Sequence, residues 1–345
     1  MRLLDQVAQC RSAVLVVPPG DRLRAVALPG PDTYAAEVAR CPHRFVLDDG
    51  LTHAAAKLGF AEGDRLAACL DLIRIPARLL WIEWNDAIHK QVVHESGSSA
   101  NPDPGAAGRQ VGVLLRATAC GRTGVARTFW SDPSMGGTQD VVLSPIETHL
   151  DLNGDFAAGA DVAAVLRGEF AAITDAEDAG VSALLDCVRF RFDERWATYY
   201  RAAAITPNQQ RAVVHDSLAA VARDAPLLLA FFLLLNARDA TRSVAVSRSA
   251  INRKRRHRER APLLDHIEVL STIDSMRATT HPNEDVGTRR PSRLHHVRGH
   301  LMRRANRVFW RTPHLRGRAS VGLVRSRTVC LSFKHGPNAD EETGK

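Results

Sequence analysis

The stretch Leu79-Leu80-Trp81-Ile82-Glu83-Trp84 carries the clearest strand pattern in this chain of 345 residues. It is rich in aromatic and aliphatic side chains, follows a proline, and ends where turn-forming residues begin. Alternate side chains of a strand point to opposite faces, so Glu83 shares a face with Trp81. Because a buried carboxylate needs a partner such as an arginine, we interpret Glu83 as a structural group rather than a catalytic one.

Two further segments predict an antiparallel hairpin that follows this strand. Residues 111–118 and 125–130 alternate apolar and polar side chains around a turn in which Gly121 and Gly124 can supply positive φ. A third segment at 140–143 has the same character. We therefore predict a meander of about four antiparallel strands, more than the two-stranded minimum.

Helices are predicted on both sides of the meander, where apolar residues recur three and four positions apart. The predicted helical segments are 34–40, 51–58, 64–73, 161–172, 181–200 and 209–222. The most apolar stretch, residues 225–237, has only 13 residues. A membrane span needs about 20, so we interpret this stretch as a buried core helix. The Pro/Gly-rich segment 95–108 is expected to be a mobile loop.

The charge of the chain is divided by region. Residues 1–237 carry 22 Lys and Arg against 28 Asp and Glu, whereas residues 238–334 carry 23 against 7. We predict an α+β protein in three parts: an acidic body at 1–237 with helices and an antiparallel sheet, a small basic module at 238–334, and a disordered tail at 335–345. Such a basic region attracts RNA or another polyanion.

The basic module is predicted to be mainly β. Strand-like segments at 294–302, 307–311 and 324–333 follow a solvated linker at 271–292. The run 252–260 precedes them and holds five Arg, one Lys, one His and a single acid. As a helix, this run would track a phosphate backbone, and we expect Arg253, Arg255 and Arg256 to neutralise phosphates. The alternative is an ordinary solvated face.

The densest group of polar side chains lies in the segment 295–304. On a single strand, His296, Arg298 and His300 would share one face and could clamp a phosphate or a carboxylate. The alternative is that they hydrogen-bond the sheet to adjoining loops. A metal-independent nuclease with His300 as general base and Arg298 at the transition state is a further alternative. Zinc is disfavoured, because ligands four residues apart on a strand lie about 13 Å from each other.

Aromatic residues are interleaved with arginines in the next segment, 309–318. Trp310 could stack on a base while Arg316 neutralises a phosphate. Neighbouring residues on a strand point to opposite faces, so at least one of Phe309 and Trp310 is expected in the core.

Several protein classes lose support. The sequence lacks the motifs of phosphate loops, dinucleotide sites, nucleophile elbows and HExxH metalloproteases. The six cysteines are scattered without CxxC pairs, and the first 20 residues do not form a signal-peptide pattern. We expect a cytoplasmic protein without metal or cofactor, and one suited to binding more than to catalysis.

Several segments together carry a resemblance to a known family. They are Ile75-Pro76, Leu80-Trp81-Ile82-Glu83, the stretch from Ser247 to Arg253 after an apolar helix, Arg290-Pro291, and Arg298-Gly299-His300 before an aromatic strand. In these the chain resembles a family of phage- and plasmid-borne proteins typified by the second type V-A anti-CRISPR inhibitor. The resemblance is most specific at Arg298-Gly299-His300. It implies a protein that recognises the amino-terminal peptide of a CRISPR effector during synthesis and lowers the abundance of its messenger RNA.

These observations lead to one functional expectation and two alternatives. We expect a non-enzymatic protein of a phage, prophage or plasmid that binds RNA or a nascent polypeptide and so interferes with gene expression. Its protein partner would be a ribosome-bound nascent chain or a host or competitor protein. The alternatives are the nuclease described above and a phage structural or assembly component whose basic module holds nucleic acid or a neighbouring subunit. No membrane partner is expected.

Overall fold

The computed structural model of the chain describes residues 1–10, 14–17, 24–27, 30–95, 109–131, 141–153, 187–202, 206–272, 293–297, 300–304, 307–311, 314–316 and 318–323. The chain forms two compact units. The first comprises Met1–Ser275 with Leu301–Trp310, and the second comprises Met276–His300 with Arg311–Lys345. Helices and a mixed sheet make the fold α+β, as predicted.

The described elements follow one another along the chain, with most helices in the first unit. The helices are α1 (Leu3–Ala8), α2 (Asp32–Arg40), α3 (Asp49–Phe60), α4 (Gly63–Ala67), α5 (Asp86–Glu95), α6 (Glu194–Ala202), α7 (Pro207–Asn236) and α8 (Ser249–Arg256). The first ten strands are β1 (Val14–Val17), β2 (Arg24–Ala27), β3 (His43–Leu47), β4 (Leu79–Asn85), β5 (Gln110–Ala117), β6 (Thr123–Ser131), β7 (Val141–Asp151), β8 (Val188–Phe192), β9 (Thr241–Val246) and β10 (His266–Ser271). The remaining strands are β11 (Arg293–Val297), β12 (His300–Arg304), β13 (Arg307–Arg311), β14 (His314–Arg316) and β15 (Arg318–Leu323).

An eight-stranded sheet organises the first unit. Its order is β8-β7-β6-β5-β4-β3-β10-β9. Each consecutive pair from β4 to β8 is antiparallel, and β4 to β7 form the predicted four-stranded meander. By contrast, β3 pairs in parallel with both β4 and β10. Strands β9 and β10 complete this sheet, although both lie beyond Arg238, where the sequence predicted that a separate basic module would begin. The first unit therefore continues past that predicted boundary.

The two faces of the sheet bury different side chains. On β4, Ile82 and Trp84 enter the larger core, which also contains most of the apolar residues of α3 and α7. Trp81, on the opposite face, enters a smaller core with residues of α1 and α2. The period-two alternation read from the sequence therefore places each residue of this strand on the face that was predicted.

Helix α7 is the main helix of the larger core. Thr206 and Gln209 form a capping box at its start, where Pro207 occupies the first turn. The helix continues past Pro226, so the predicted segments 209–222 and 225–237 form one helix. The part Asn208–Asn236 is long and apolar enough to cross a membrane, yet 83% of its most apolar window is buried inside the protein. It therefore serves as a core helix.

The turn between β5 and β6 shows why a glycine is required there. Gly121 has φ +65°, and an added Cβ would lie 2.6 Å from the carbonyl oxygen of Ile75. The same backbone approach gives the 2.8 Å hydrogen bond from the nitrogen of Ile75 to the oxygen of Gly121. Gly124, the other predicted turn glycine, lies in β6 instead.

Two predicted elements are wrong in the described regions. Residues 188–192, expected within a helix, form β8, because the alternating Val188 and Phe190 are buried while Arg189 and Arg191 are exposed. The single strand expected at 294–302 is divided between β11 and β12, which pair with different partners. The predicted helix at 161–172, most of the loop at 95–108 and of the linker at 271–292, the strand at 324–333 and the tail lie outside the described residues.

The second unit contains a small sheet of three described strands. Its order is β14-β11-β15. Strand β11 is antiparallel to β14 and parallel to β15, so the sheet is mixed rather than purely antiparallel. The separate pair β12–β13, apart from its end residues His300 and Arg311, belongs to the first unit, where a bridge links Arg238 to Phe309.

Candidate nucleic-acid interface

The basic run 253–260 forms the last turn of α8 and the bend that follows it. The nitrogens of Arg258 and Glu259 donate to the carbonyl oxygens of Arg255 and Arg256, both at 3.0 Å. Glu259 has φ 52°, which reverses the chain direction. Cationic side chains at the end of a helix also interact favourably with its free carbonyl groups. The local sequence thus stabilises a short helix that ends in a tight bend.

The bend is fastened to the chain that leads into β10. The side chain of Asn252 makes two hydrogen bonds with the backbone of Leu263, each 2.8 Å long. Arg255 donates from Nε to the oxygen of Ala261 at 2.7 Å. Asp5, on α1, accepts from the nitrogen of Leu264 at 2.7 Å. The basic run is therefore held by side-chain bonds to the body of the first unit.

The outward side chains of this run form a cationic surface. We call the exposed residues the basic surface: Arg253, Lys254, Arg256, His257, Arg258 and Arg260. Within the part of the chain that the structure describes, none of its Lys or Arg side chains forms an ion pair with an acid. Glu259 is the one acid in the run and is itself exposed. The surface thus carries four arginines and a lysine against one acid, Glu259, with which none of them forms an ion pair among the described residues.

Two other arginines of the first unit are already paired with acids. Arg303 donates to Asp71 through two contacts of 2.8 and 3.0 Å and also to the oxygen of Ala68. Arg2 pairs with Glu268 at 2.6 Å. Arg2 and Arg303 therefore have a structural role and are not part of the basic surface.

The three residues predicted on α8 have two roles. Arg253 and Arg256 are exposed, as a phosphate contact requires. Arg255 is half-buried and turned toward Ala261, so it holds the bend. The sequence could not distinguish them, because the distinction depends on which side of the helix faces the chain beyond it.

Trp310 is not an exposed stacking platform. It is half-buried and packs against the larger core, as the fully buried Val308 does two residues earlier on β13. Its backbone nitrogen donates to the oxygen of Arg238 at 3.1 Å. Its indole nitrogen is buried without a hydrogen-bond partner among the described residues. The alternative in which this residue belongs to the core is the one that the structure supports.

The remaining predicted residues are distributed over several strands. His296 lies on β11 opposite Leu315 of β14, and Arg316 lies opposite His295 in the same pairing. His300 begins β12. Arg298 lies outside the described residues. The expectation that a single strand would align His296, Arg298 and His300 is therefore wrong, since β11 ends before β12 begins.

A network of arginines around Tyr34 was not predicted. The guanidinium carbons of Arg116, Arg127 and Arg195 lie 5.5–5.6 Å from the ring centroid. Arg195 also donates to the Tyr34 hydroxyl at 2.7 Å. Asp193 accepts from Arg127 and Arg195; burial opposes its ionisation, but the hydrogen bonds from Arg195 lower the pKa of Asp193 overall. These arginines are neutralised locally and hold α2 and α6 to the sheet.

A second unpredicted group is a buried polar cluster at the start of α5. His89 Nδ1 lies 3.5 Å from Asp224 Oδ1 and 4.0 Å from Asp86 Oδ1, and all three side chains are buried. Asp86 also contacts Lys90 at 3.2 Å and Arg109 at 3.3 Å. The sequence signal was the single acid Asp224 beside the most apolar run, because a buried charge requires partners.

Burial sets the protonation of this cluster. It lowers the pKa of His89 to about 4 and raises the pKa of Asp224 well above its ordinary value. Within the described ranges, no group of three histidine, cysteine or carboxylate side chains is arranged to hold a metal ion. The cluster is enclosed by protein, whereas the basic surface is open to a macromolecule.

Comparison of the chain with family models, with curated proteins and with solved structures gives no match.

Proposed function

We propose that this protein binds RNA through the basic surface and does so without catalysis. The observation that carries the proposal is the set of exposed cations at 253–260, which have no ion-pair partner in the described part of the chain. An arginine that is not neutralised within the protein can replace the counterions condensed on a phosphate backbone. The bonds of Asn252 and Arg255 hold the backbone that carries these cations before binding.

The expected binding is electrostatic and independent of sequence. Each neutralised phosphate releases counterions, so log K should fall with log salt by about 0.7 to 0.9 per contact. The described part of the surface offers guanidinium and ammonium groups, which can contact phosphates in any sequence. In the binding that we propose, any selection of one RNA over another depends on shape or on a second partner.

The biological setting that we propose comes from the family resemblance at Arg298-Gly299-His300. A cytoplasmic protein of a mobile element that holds an RNA, with or without its nascent chain, would interfere with expression of the encoded product. The basic surface supports the RNA contact in this proposal. The mobile-element setting rests on the resemblance alone.

Purified full-length protein and a fluorescent RNA of about 20 nucleotides test the proposal by anisotropy in chelator at 50 mM salt. Reversal of two surface charges in Arg253→Glu/Arg256→Glu should weaken binding by about tenfold or more. The matched control is Arg201→Glu/Arg211→Glu, which changes two exposed arginines whose hydrogen bonds, among the described residues, stay within their own helices. Equal weakening by both pairs would show a response to net charge and would overturn a localised site. RNA shortened during the assay would indicate the nuclease alternative.

A further inference from the structure

We infer that the basic surface is built for base-paired RNA rather than for single-stranded RNA. This inference rests on the proposed function and adds the class of RNA. Its basis is the combination of cations on a fixed backbone with the absence, in the described residues, of any exposed Trp, Tyr or Phe side chain.

Most of the Trp, Tyr and Phe residues lie in the described part of the chain. All five Trp and all three Tyr of the chain are among the described residues, and each is buried or half-buried. The exposed large apolar side chains in the described ranges are Met1, Val213 and Ile251. Ile251 lies on α8 beside the basic surface, but an aliphatic side chain does not provide a stacking plane.

Single-stranded RNA is held by two kinds of contact. A basic groove follows the backbone, and aromatic rings stack on unpaired bases, each stack contributing about 1–3 kcal/mol. The basic surface supplies the first kind, and its only aromatic ring is the imidazole of His257. A protein that relies mainly on cations should favour the ligand with the higher density of phosphates.

A double helix has that higher density. A duplex carries a phosphate about every 1.7 Å of axis, compared with about 3.4 Å along one of its strands. Helix α8 has eight residues, about 12 Å of length. Arg253 and Arg256, three positions apart on one face of the helix, therefore lie close enough together to contact phosphates of one duplex segment at once, while Arg258 and Arg260 extend the surface along the returning chain.

Rigidity favours the same ligand. The side chains of Asn252 and Arg255 fix the bend, and Asp5 fixes the chain after it. A fixed backbone holds the attachment points of these cations in one arrangement, which suits phosphates whose spacing is already set by base pairing. A flexible strand must lose conformational entropy to fit the same arrangement.

Competition binding with full-length protein tests the inference. The probes are a blunt RNA duplex of about 20 base pairs and an unstructured oligouridine of about 20 nucleotides, each measured between 50 and 200 mM KCl in chelator. The inference predicts tighter binding to the duplex at every salt concentration, with a steeper salt slope. The Arg253→Ala/Arg256→Ala variant should reduce the duplex slope by about 1.8, which is 0.9 for each lost contact.

The outcomes separate the inference from the proposed function. Equal or tighter binding of oligouridine, lost in Arg253→Ala/Arg256→Ala, would overturn the preference for duplex while retaining RNA binding at the basic surface. Binding of neither probe at 50 mM salt would overturn both. Duplex binding that Arg201→Ala/Arg211→Ala weakens as much as Arg253→Ala/Arg256→Ala would also overturn the inference, since the contact would not be made by the basic surface.

Discussion

The carboxylate of Glu83, in the middle of the sheet, accepts a hydrogen bond at 2.9 Å from the backbone nitrogen of Leu4, in the first turn of α1. The nitrogen of Leu3 donates to the same carboxylate at 3.1 Å, and the indole of Trp81 donates at 3.2 Å. The first amides of a helix have no partner within the helix, so Glu83 completes the start of α1. Its hydrogen-bond partners are amides and an indole rather than an arginine.

We predict that Glu83→Ala lowers the free energy of unfolding by about 3 kcal/mol, because it leaves buried donors of Leu3 and Leu4 unsatisfied. Glu83→Gln retains an acceptor and should cost less. Urea unfolding measures both changes. Glu62→Ala is the control, since Glu62 pairs with Arg65 at the exposed surface, and the prediction fails if Glu83→Ala costs no more than this control.

The close approach of α3 to α7 gives a second prediction. A Cβ added at Gly59 would lie 2.8–2.9 Å from atoms of Pro226, backbone included, whereas one added at Gly50 of the same helix meets only ordinary contacts at 3.6 Å or more. Gly59→Ala should therefore destabilise the protein by about 1–3 kcal/mol through overpacking. Gly50→Ala should be neutral or slightly stabilising. Equal thermal midpoints for the two variants would show that α7 is not seated against α3 in this way.

The His89–Asp224 pair gives a third prediction, which concerns pH. In the folded protein near pH 5.5, burial keeps His89 neutral and raises the pKa of Asp224, whereas in the unfolded chain the histidine holds a proton and the carboxyl does not. The two shifts therefore act in opposite directions on the pH dependence of stability. The charged groups that face the pair are Asp86, Lys90, Arg109 and Arg223.

Removing one partner should expose the contribution of the other. In Asp224→Asn, His89 takes up a proton below pH 6.5 in the unfolded chain but stays neutral in the folded protein. The free energy of unfolding therefore falls by about 1.4 kcal/mol per pH unit as the pH decreases toward 4. In His89→Gln, folded Asp224 keeps a proton that the unfolded chain loses above pH 3.8, so stability falls as pH rises. Urea midpoints at pH 4.5, 5.5 and 6.5 measure both variants, and slopes of the same sign would contradict this account.

Arg255 gives a fourth prediction because its Nε is bonded to Ala261. Arg255→Ala should loosen the bend and accelerate amide hydrogen exchange at Arg258, Glu259 and Arg260, whose nitrogens donate within it. Arg253→Ala removes an exposed charge of the same helix and should leave those rates almost unchanged. Identical exchange in the two variants would remove the distinction between a residue that holds the bend and one that faces solvent.

Alternation of side chains was sufficient to predict the centre of the fold. It gave the order of β4 to β7 and the two faces of β4, because these strands are neighbours in sequence and their pairing is local. The parallel pairing of Ile267 with Phe45 could not be read this way, since it joins strands far apart in the chain. That pairing is what brings β10, and the bend before it, into the first unit.

The candidate site was predicted from composition and only partly located by it. The run 253–260 was recognised because its charge is visible in sequence. The roles of Arg255 and Trp310 depend on neighbours that no local pattern reveals: the oxygen of Ala261 in one case and the larger core in the other. Val188 and Phe190 did show a strand period, but it was assigned to a longer helix.

The salt dependence of RNA affinity is the most direct test of the basic surface. We predict a linear fall of log K with log KCl for the full-length protein, and a slope reduced by about 1.8 in Arg253→Ala/Arg256→Ala. The Arg201→Ala/Arg211→Ala variant should keep the full slope. An affinity that does not change between 50 and 200 mM KCl, or a slope unaltered by loss of Arg253 and Arg256, would contradict the account.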